Sequence, residues 1–118
     1  MGIVADRLLQ DRQLYMRIKM ALECYPDYAF HIIGHSMGAS VAALLTLAWK
    51  EDPYLKTKHL FAYCFAPCPV LSENLVPSSM DNIISIVNSD DIIPRLSRTT
   101  LNHFCEHVCV VYFYWFLG

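Results

Sequence analysis

Charge is the first thing in short supply. Only 17% of the 118 residues are charged, against a usual quarter. Nine Lys and Arg face eleven Asp and Glu, for a formal net charge of −2. No basic stripe stands out, so the electrostatic footprint of nucleic-acid binding is absent. Long apolar runs are missing as well. The most apolar stretch, Val108 to Leu117, has ten residues, about half of what a bilayer-spanning helix needs. Met1 to Ala5 runs straight into Asp6 and Arg7, which is neither a secretory leader nor a transit peptide. Gly2 lacks the nearby Ser or Thr of a myristoylation motif. The expected location is cytoplasmic or at a membrane periphery. Internal repeats and low-complexity tracts are absent. The cysteines, Cys24, Cys64, Cys68, Cys105 and Cys109, are odd in number, which argues for free thiols rather than a disulfide framework. Cys64-x-x-x-Cys68 is not the redox spacing, and two small buried residues are expected there.

What is present is apolar. Hydrophobic residues make up 55% of the chain, slightly above the globular share. Val4, Leu8, Tyr15, Ile18 and Leu22 recur at helical spacing, so a helix is expected over 3–24. Pro26-Asp27 ends it. Tyr28 to Ile33 is a strand candidate. Met37 to about Lys50 reads as a helix rich in small residues, closed by Asp52-Pro53. His59 to Phe65 and Ile83 to Val87 are two further strands, separated by a proline-bearing loop over 66–82. A last helix is expected over 97–107, capped by Ser97 or Thr99. The strands are continuous apolar runs, the signature of a parallel sheet covered on both faces. The fold class is therefore α/β, with a mostly parallel sheet of about three strands. A sheet this thin leaves both edges open, which suggests a piece of a larger fold and invites self-association.

Gly34-His35-Ser36-Met37-Gly38 fits the nucleophile-elbow pattern Gly-x-Ser-x-Gly. By chance the three fixed positions arise in roughly four of every hundred chains this long. Here they follow an expected strand and open an expected helix, the context the motif requires. On such a turn the serine hydroxyl stands out above the strand ends. Gly34 and Gly38 are expected to be small because side chains there would collide across the turn. The N-terminus of the following helix favours developing negative charge, which makes Met37 N–H a natural oxyanion donor. His35 is expected to pack or hydrogen-bond beneath the elbow and not to act as base. His31 reads as a core or edge-strand histidine. A serine hydrolase of this kind uses the chain order serine, acid, histidine. Asp90 and Asp91 both follow the third strand candidate and compete for the acid's place.

Two segments resemble a known family. His31-Ile-Ile-Gly-His-Ser-Met-Gly-Ala-Ser40, followed by Val-Ala-Ala-Leu-Leu, is similar to the elbow of the class 3, fungal-type lipases. Asp90-Asp91-Ile-Ile-Pro-Arg-Leu-Ser97 resembles that family's Asp-Ile-Val-Pro-Arg-Leu segment, and places Asp91 on its catalytic aspartate. Phe61-Ala-Tyr-Cys-Phe-Ala-Pro67 resembles the strand and proline between them. The flavour is closest to the sn-1-specific diacylglycerol lipase branch. The resemblance covers about residues 2–104 and implies a partial α/β-hydrolase domain over 1–107. It leaves 108–118 as an apolar tail unlike the family.

The resemblance implies a serine hydrolase of acylglycerol esters, acting at a membrane or droplet surface. In it Ser36 would attack the ester carbonyl, Met37 N–H would hold the oxyanion, and Asp91 would orient a histidine. The family's histidine lies well beyond the aspartate segment. Here 27 residues follow Asp91 and offer only His103 and His107, both on the expected last helix. His103 is the candidate base, and the expectation is of a fragment short of a competent one. No cofactor is expected, and calcium is implied by resemblance alone. His103-x-Cys105-x-His107-x-Cys109 is not expected to bind metal. On a strand its members spread over about 20 Å, and on a helix only His103 and His107 share a face. The rival readings are a generic serine esterase, thioesterase or acyltransferase, and a non-catalytic lipid-binding or interaction module.

Overall fold

A computed structural model describes residues 2–96, 100, 102 and 103. Helix α1 spans Gly2–Gln10 and α2 spans Arg12–Cys24. The single helix expected over 3–24 is thus two. Asp11 breaks it: its backbone turns to ψ 94°, and its Oδ1 accepts the amides of Gln13 at 2.9 Å and Leu14 at 3.0 Å. That is an N-cap, which satisfies amides that a helix start leaves open. Val4, expected on the buried face, is exposed, while Ala5 is buried against α3.

Strand β1 spans Phe30–His35, two residues later than expected, because Tyr25 and Tyr28 close a turn first. Helix α3 follows over Met37–Lys50 and returns the chain to β2, Leu60–Phe65. The stretch expected as loop carries a 3-10 turn, Glu73–Leu75, and a short helix α4, Val76–Ser79. Strand β3 spans Ile83–Ile86, and a 3-10 turn spans Ile93–Arg95. The strands form one parallel sheet in the order β1-β2-β3. Thr100, Asn102 and His103 are helical. The rest of the last expected helix, and the tail over 108–118, lie outside the described residues. No helix among the described residues is long and apolar enough to cross a membrane.

Helix α3 holds the layers together. Ala39, Ala42 and Ala43 meet Ala62 and Cys64 of β2. Small side chains let helix and sheet approach closely, and their burial supplies the hydrophobic term. The opposite stripe, Val41, Leu45 and Trp49, packs with Ala5 and Leu22 of the N-terminal helices and with Leu55 and Leu60. Tyr15 ties α2 to the turn after α3 by donating its hydroxyl to the Asp52 carboxylate at 3.0 Å. Asp52 Oδ1 also accepts the Tyr54 and Leu55 amides.

The expectation of a sheet buried on both faces fails for the described residues. Burial alternates along β1, and Ile33, Phe65, Ile84 and Ile86 are exposed, with Ile33 at 68%. The register sets His31 beside Phe61, Ile33 beside Tyr63 and Ile84, and His35 beside Phe65 and Ile86 on this open face. Apolar residues at nearly every strand position hide this two-residue period from a reading of the sequence.

Candidate active site

Ser36 joins β1 to α3 with φ 54° and ψ −122°. A non-glycine residue at positive φ is costly and persists only where its surroundings impose it. Three contacts impose it here. Ser36 N–H donates to Phe65 O at 2.8 Å, extending the β1–β2 ladder by one residue. Its carbonyl accepts from Ala39 N at 3.0 Å and Ser40 N at 3.3 Å, which starts α3 at once. Gly34 provides the clearance: a Cβ there would lie 2.3 Å from Gly38 O and 2.6 Å from Ala39 N. A Cβ on Gly38 meets nothing within 4 Å. The close approach therefore demands glycine at 34 only; at position 38 the backbone, not a side chain, forms the contact. Ser36 is half-buried, and its hydroxyl has no hydrogen-bonding partner among the described residues.

Met37 is the first residue of α3, so helix geometry gives its amide no intrahelical acceptor. Its side chain is 57% exposed. His35, expected beneath the elbow, is exposed on the open sheet face instead, because alternation sends it away from α3. His31 is also on that face, stacked on the Phe61 ring at 5.8 Å.

The exits of β2 and β3 repeat the left-handed turn, with Ala66 at φ 48° and Ser89 at φ 42°. Ala66 N–H donates to Ile86 O at 2.9 Å. Asp91 follows in a turn closed by its amide on Asn88 O. It is half-buried, whereas Asp90 is exposed. Asp91 Oδ1 accepts the Ile93 amide at 3.0 Å. Arg95 braces the turn, donating to Asp91 O at 2.9 Å and Ser89 O at 3.1 Å. Ser36 and Asp91 thus follow strands that finish at the same end of the parallel sheet, with β2 between them. His103 is exposed. His107, Cys105 and Cys109 lie outside the described residues.

Three features of the site escaped the sequence reading. Ser40 is buried beneath the elbow; its only sequence signal was its place one turn after Ser36. Arg95 anchors the acid's turn, and a guanidinium four residues from Asp91 was the available sign. The third is an apolar cleft of about 330 Å³ beside β3, lined by Ala43, Pro67, Val70, Val76, Ile83 and Pro94 among others. It forms only when distant loops meet, so no local pattern marks it. Cys68 lines it; Cys64 is buried, and burial pushes its thiol up. Cys24, Cys64 and Cys68 are unpaired. Among the described residues no group of three His, Cys, Asp or Glu side chains is placed to hold a metal ion.

A family model described as lipase (class 3) matches residues 7–101, which takes in both the elbow and the Asp91 turn. The chain belongs to the class 3 lipase family. That family consists of lipid-ester hydrolases on the α/β-hydrolase fold, and the three-stranded parallel sheet with its flanking helices is a part of that fold. The chain is 35% identical over 85 residues to diacylglycerol lipase-beta of Mus musculus, which covers 71% of this chain and 12% of that protein. It is 32% identical over 77 residues to diacylglycerol lipase-alpha of Homo sapiens, covering 65% of this chain and 7% of that protein. The match therefore spans about an eighth or less of these curated relatives. No solved structure matches.

Proposed function

We propose that this class 3 lipase chain carries the nucleophile and the acid of an acylglycerol hydrolase that works at a membrane or droplet surface. The observation that carries this reading is the backbone of Ser36, held at φ 54° where a parallel strand meets a helix N-terminus. Such a turn costs stability that the surrounding contacts must offset, and turns of this kind cluster at functional sites. Its use here is to lift a hydroxyl above the strand ends beside an unpaired amide.

An alcohol is a weak nucleophile at neutral pH, so Ser36 needs a base. Asp91 would hold the histidine in one tautomer and stabilise it once protonated. Of the described histidines only His103 follows Asp91, in the order serine, acid, histidine; it is the candidate base, on a chain we read as a fragment short of a competent one. Ser36 Oγ attacks the ester carbonyl, Met37 N–H holds the oxyanion, the glycerol oxygen leaves with a proton, and water releases the acid from the acyl-enzyme. The apolar cleft beside β3 and the exposed Met37 and Ile92 side chains suit a substrate with acyl chains.

Fatty-acid release from diacylglycerol in mixed micelles tests the proposal. Release is expected to be slow for want of a competent base, to be abolished in Ser36→Ala and to be lowered further in Asp91→Asn. Release that persists in Ser36→Ala contradicts the reading. Vesicle binding that survives Ser36→Ala, with no turnover in either form, would replace it with a non-catalytic lipid-binding role. Faster turnover of thioesters or short-chain esters than of acylglycerols would point to a general esterase.

A further inference from the structure

We propose that Ser40 is a positioning residue that fixes the spacing between Ser36 and Asp91. This rests on the reading of those two as nucleophile and acid. The side chain is fully buried, at 0% exposure, one turn into α3. A helical serine or threonine turned away from solvent can satisfy its hydroxyl on the carbonyl four residues earlier. Thr46 on the same helix does so, reaching Ala42 O at 2.9 Å. Ser40 differs. Its hydroxyl lies 3.4 Å from Ser36 O but only 2.9 Å from Cys68 O, 28 residues away in the segment after β2. A hydroxyl has one proton to donate, and the shorter contact takes it.

The place of that bond matters. The exit of β2 is the middle member of a three-part chain across the end of the sheet. Ser36 N–H holds Phe65 O on one side, and Ala66 N–H holds Ile86 O on the other. Ser36 belongs to the first bond, and the strand leading to Asp91 belongs to the second. Between them the chain turns through Ala66 at φ 48° into Pro67 and Pro69. Proline has no N–H, so neither residue can tie the segment down by its own amide. The Ser40 hydroxyl does so from the helix side. It clamps the β2 exit against α3 and thereby holds the register that links the elbow to the acid's turn.

Residue-resolved amide exchange on the whole chain tests this, with melting temperature measured in parallel. In Ser40→Ala the Ser36 and Ala66 amides are expected to exchange about fivefold faster, from the loss of one hydrogen bond. Amides of α2 should not change. Thr46→Val, which removes only a local bond, should leave Ser36 and Ala66 unaltered, and Ser40→Thr should restore protection. No change at Ser36 and Ala66, or a uniform rise across the chain, overturns the proposal. A second arm uses a fluorophosphonate. There Ser36 Oγ bonds to phosphorus, the P–F bond breaks, and fluoride leaves as the hydroxyl proton passes to solvent. The labelling rate constant is expected to fall severalfold in Ser40→Ala, with the half-saturating concentration unchanged. A wild-type chain that is not labelled refutes the reading of Ser36 as nucleophile, while the exchange data still decide the role of Ser40.

Discussion

Replacing Gly34 by alanine would set a methyl carbon 2.3 Å from the Gly38 carbonyl oxygen. Neither partner is the tip of a flexible side chain, so β1 and α3 must separate. A loss of about 3 kcal/mol or more is expected. Gly38→Ala is the contrasting case, because it adds a methyl to a helix where nothing stands within 4 Å. It should be neutral or stabilise by up to about 1 kcal/mol. Urea denaturation of the two variants checks both. Asp52 gives a residue-scale prediction in pH. Burial works to raise its carboxyl, but the Leu55 and Tyr54 amides, the Tyr15 hydroxyl and Lys19 outweigh it and hold the group below its ordinary 3.8. A depressed carboxyl contributes stability above its unfolded value and loses it as pH falls through the folded one. Asp52→Asn should therefore lower stability at neutral pH and flatten the acid limb. Melting temperature against pH measures this.

Asp11 decides where one helix becomes two. Asp11→Ala is expected to cost about 1 kcal/mol, and Asp11→Ser much less, as for other N-caps; circular dichroism in urea measures the difference. The same residue shows what a sequence reveals at the level of elements. Leu8 and Tyr15 are seven apart, so the helical period runs across the break, and the cap shows only as one aspartate in a charged stretch. Helix α3 was legible to its ends. Its small residues, the elbow before it and Asp52-Pro53 after it all agree with the fold. The three strands were legible as strands because they are short, β-branched and aromatic. Their exposure was not, since period-two burial is invisible when both faces are apolar. At the site, Ser36 and Asp91 were readable as motif residues. The bond from Ser40 to Cys68 and the brace from Arg95 depend on tertiary contacts and left little trace in local pattern.

Among the described residues the sheet presents one face to α3 and leaves the other open. Among the described residues the register sets no Asp, Glu, Lys or Arg on the open face, and the most exposed of its large hydrophobic side chains is Ile33, at 68%. Contiguous apolar surface of this kind drives association. The chain is expected to self-associate in a concentration-dependent way, and Ile33→Lys to reduce it. Sedimentation velocity at several concentrations reads the outcome. A wild-type chain that stays monomeric throughout contradicts it. The functional reading depends on whether this assembly activates the one hydroxyl it lifts at the elbow. Intact-mass measurement after treatment with a fluorophosphonate answers that most directly. One adduct on Ser36, absent from Ser36→Ala and slowed in Asp91→Asn, is expected on that reading. An unmodified wild-type chain, or an adduct that persists without Ser36, would contradict it.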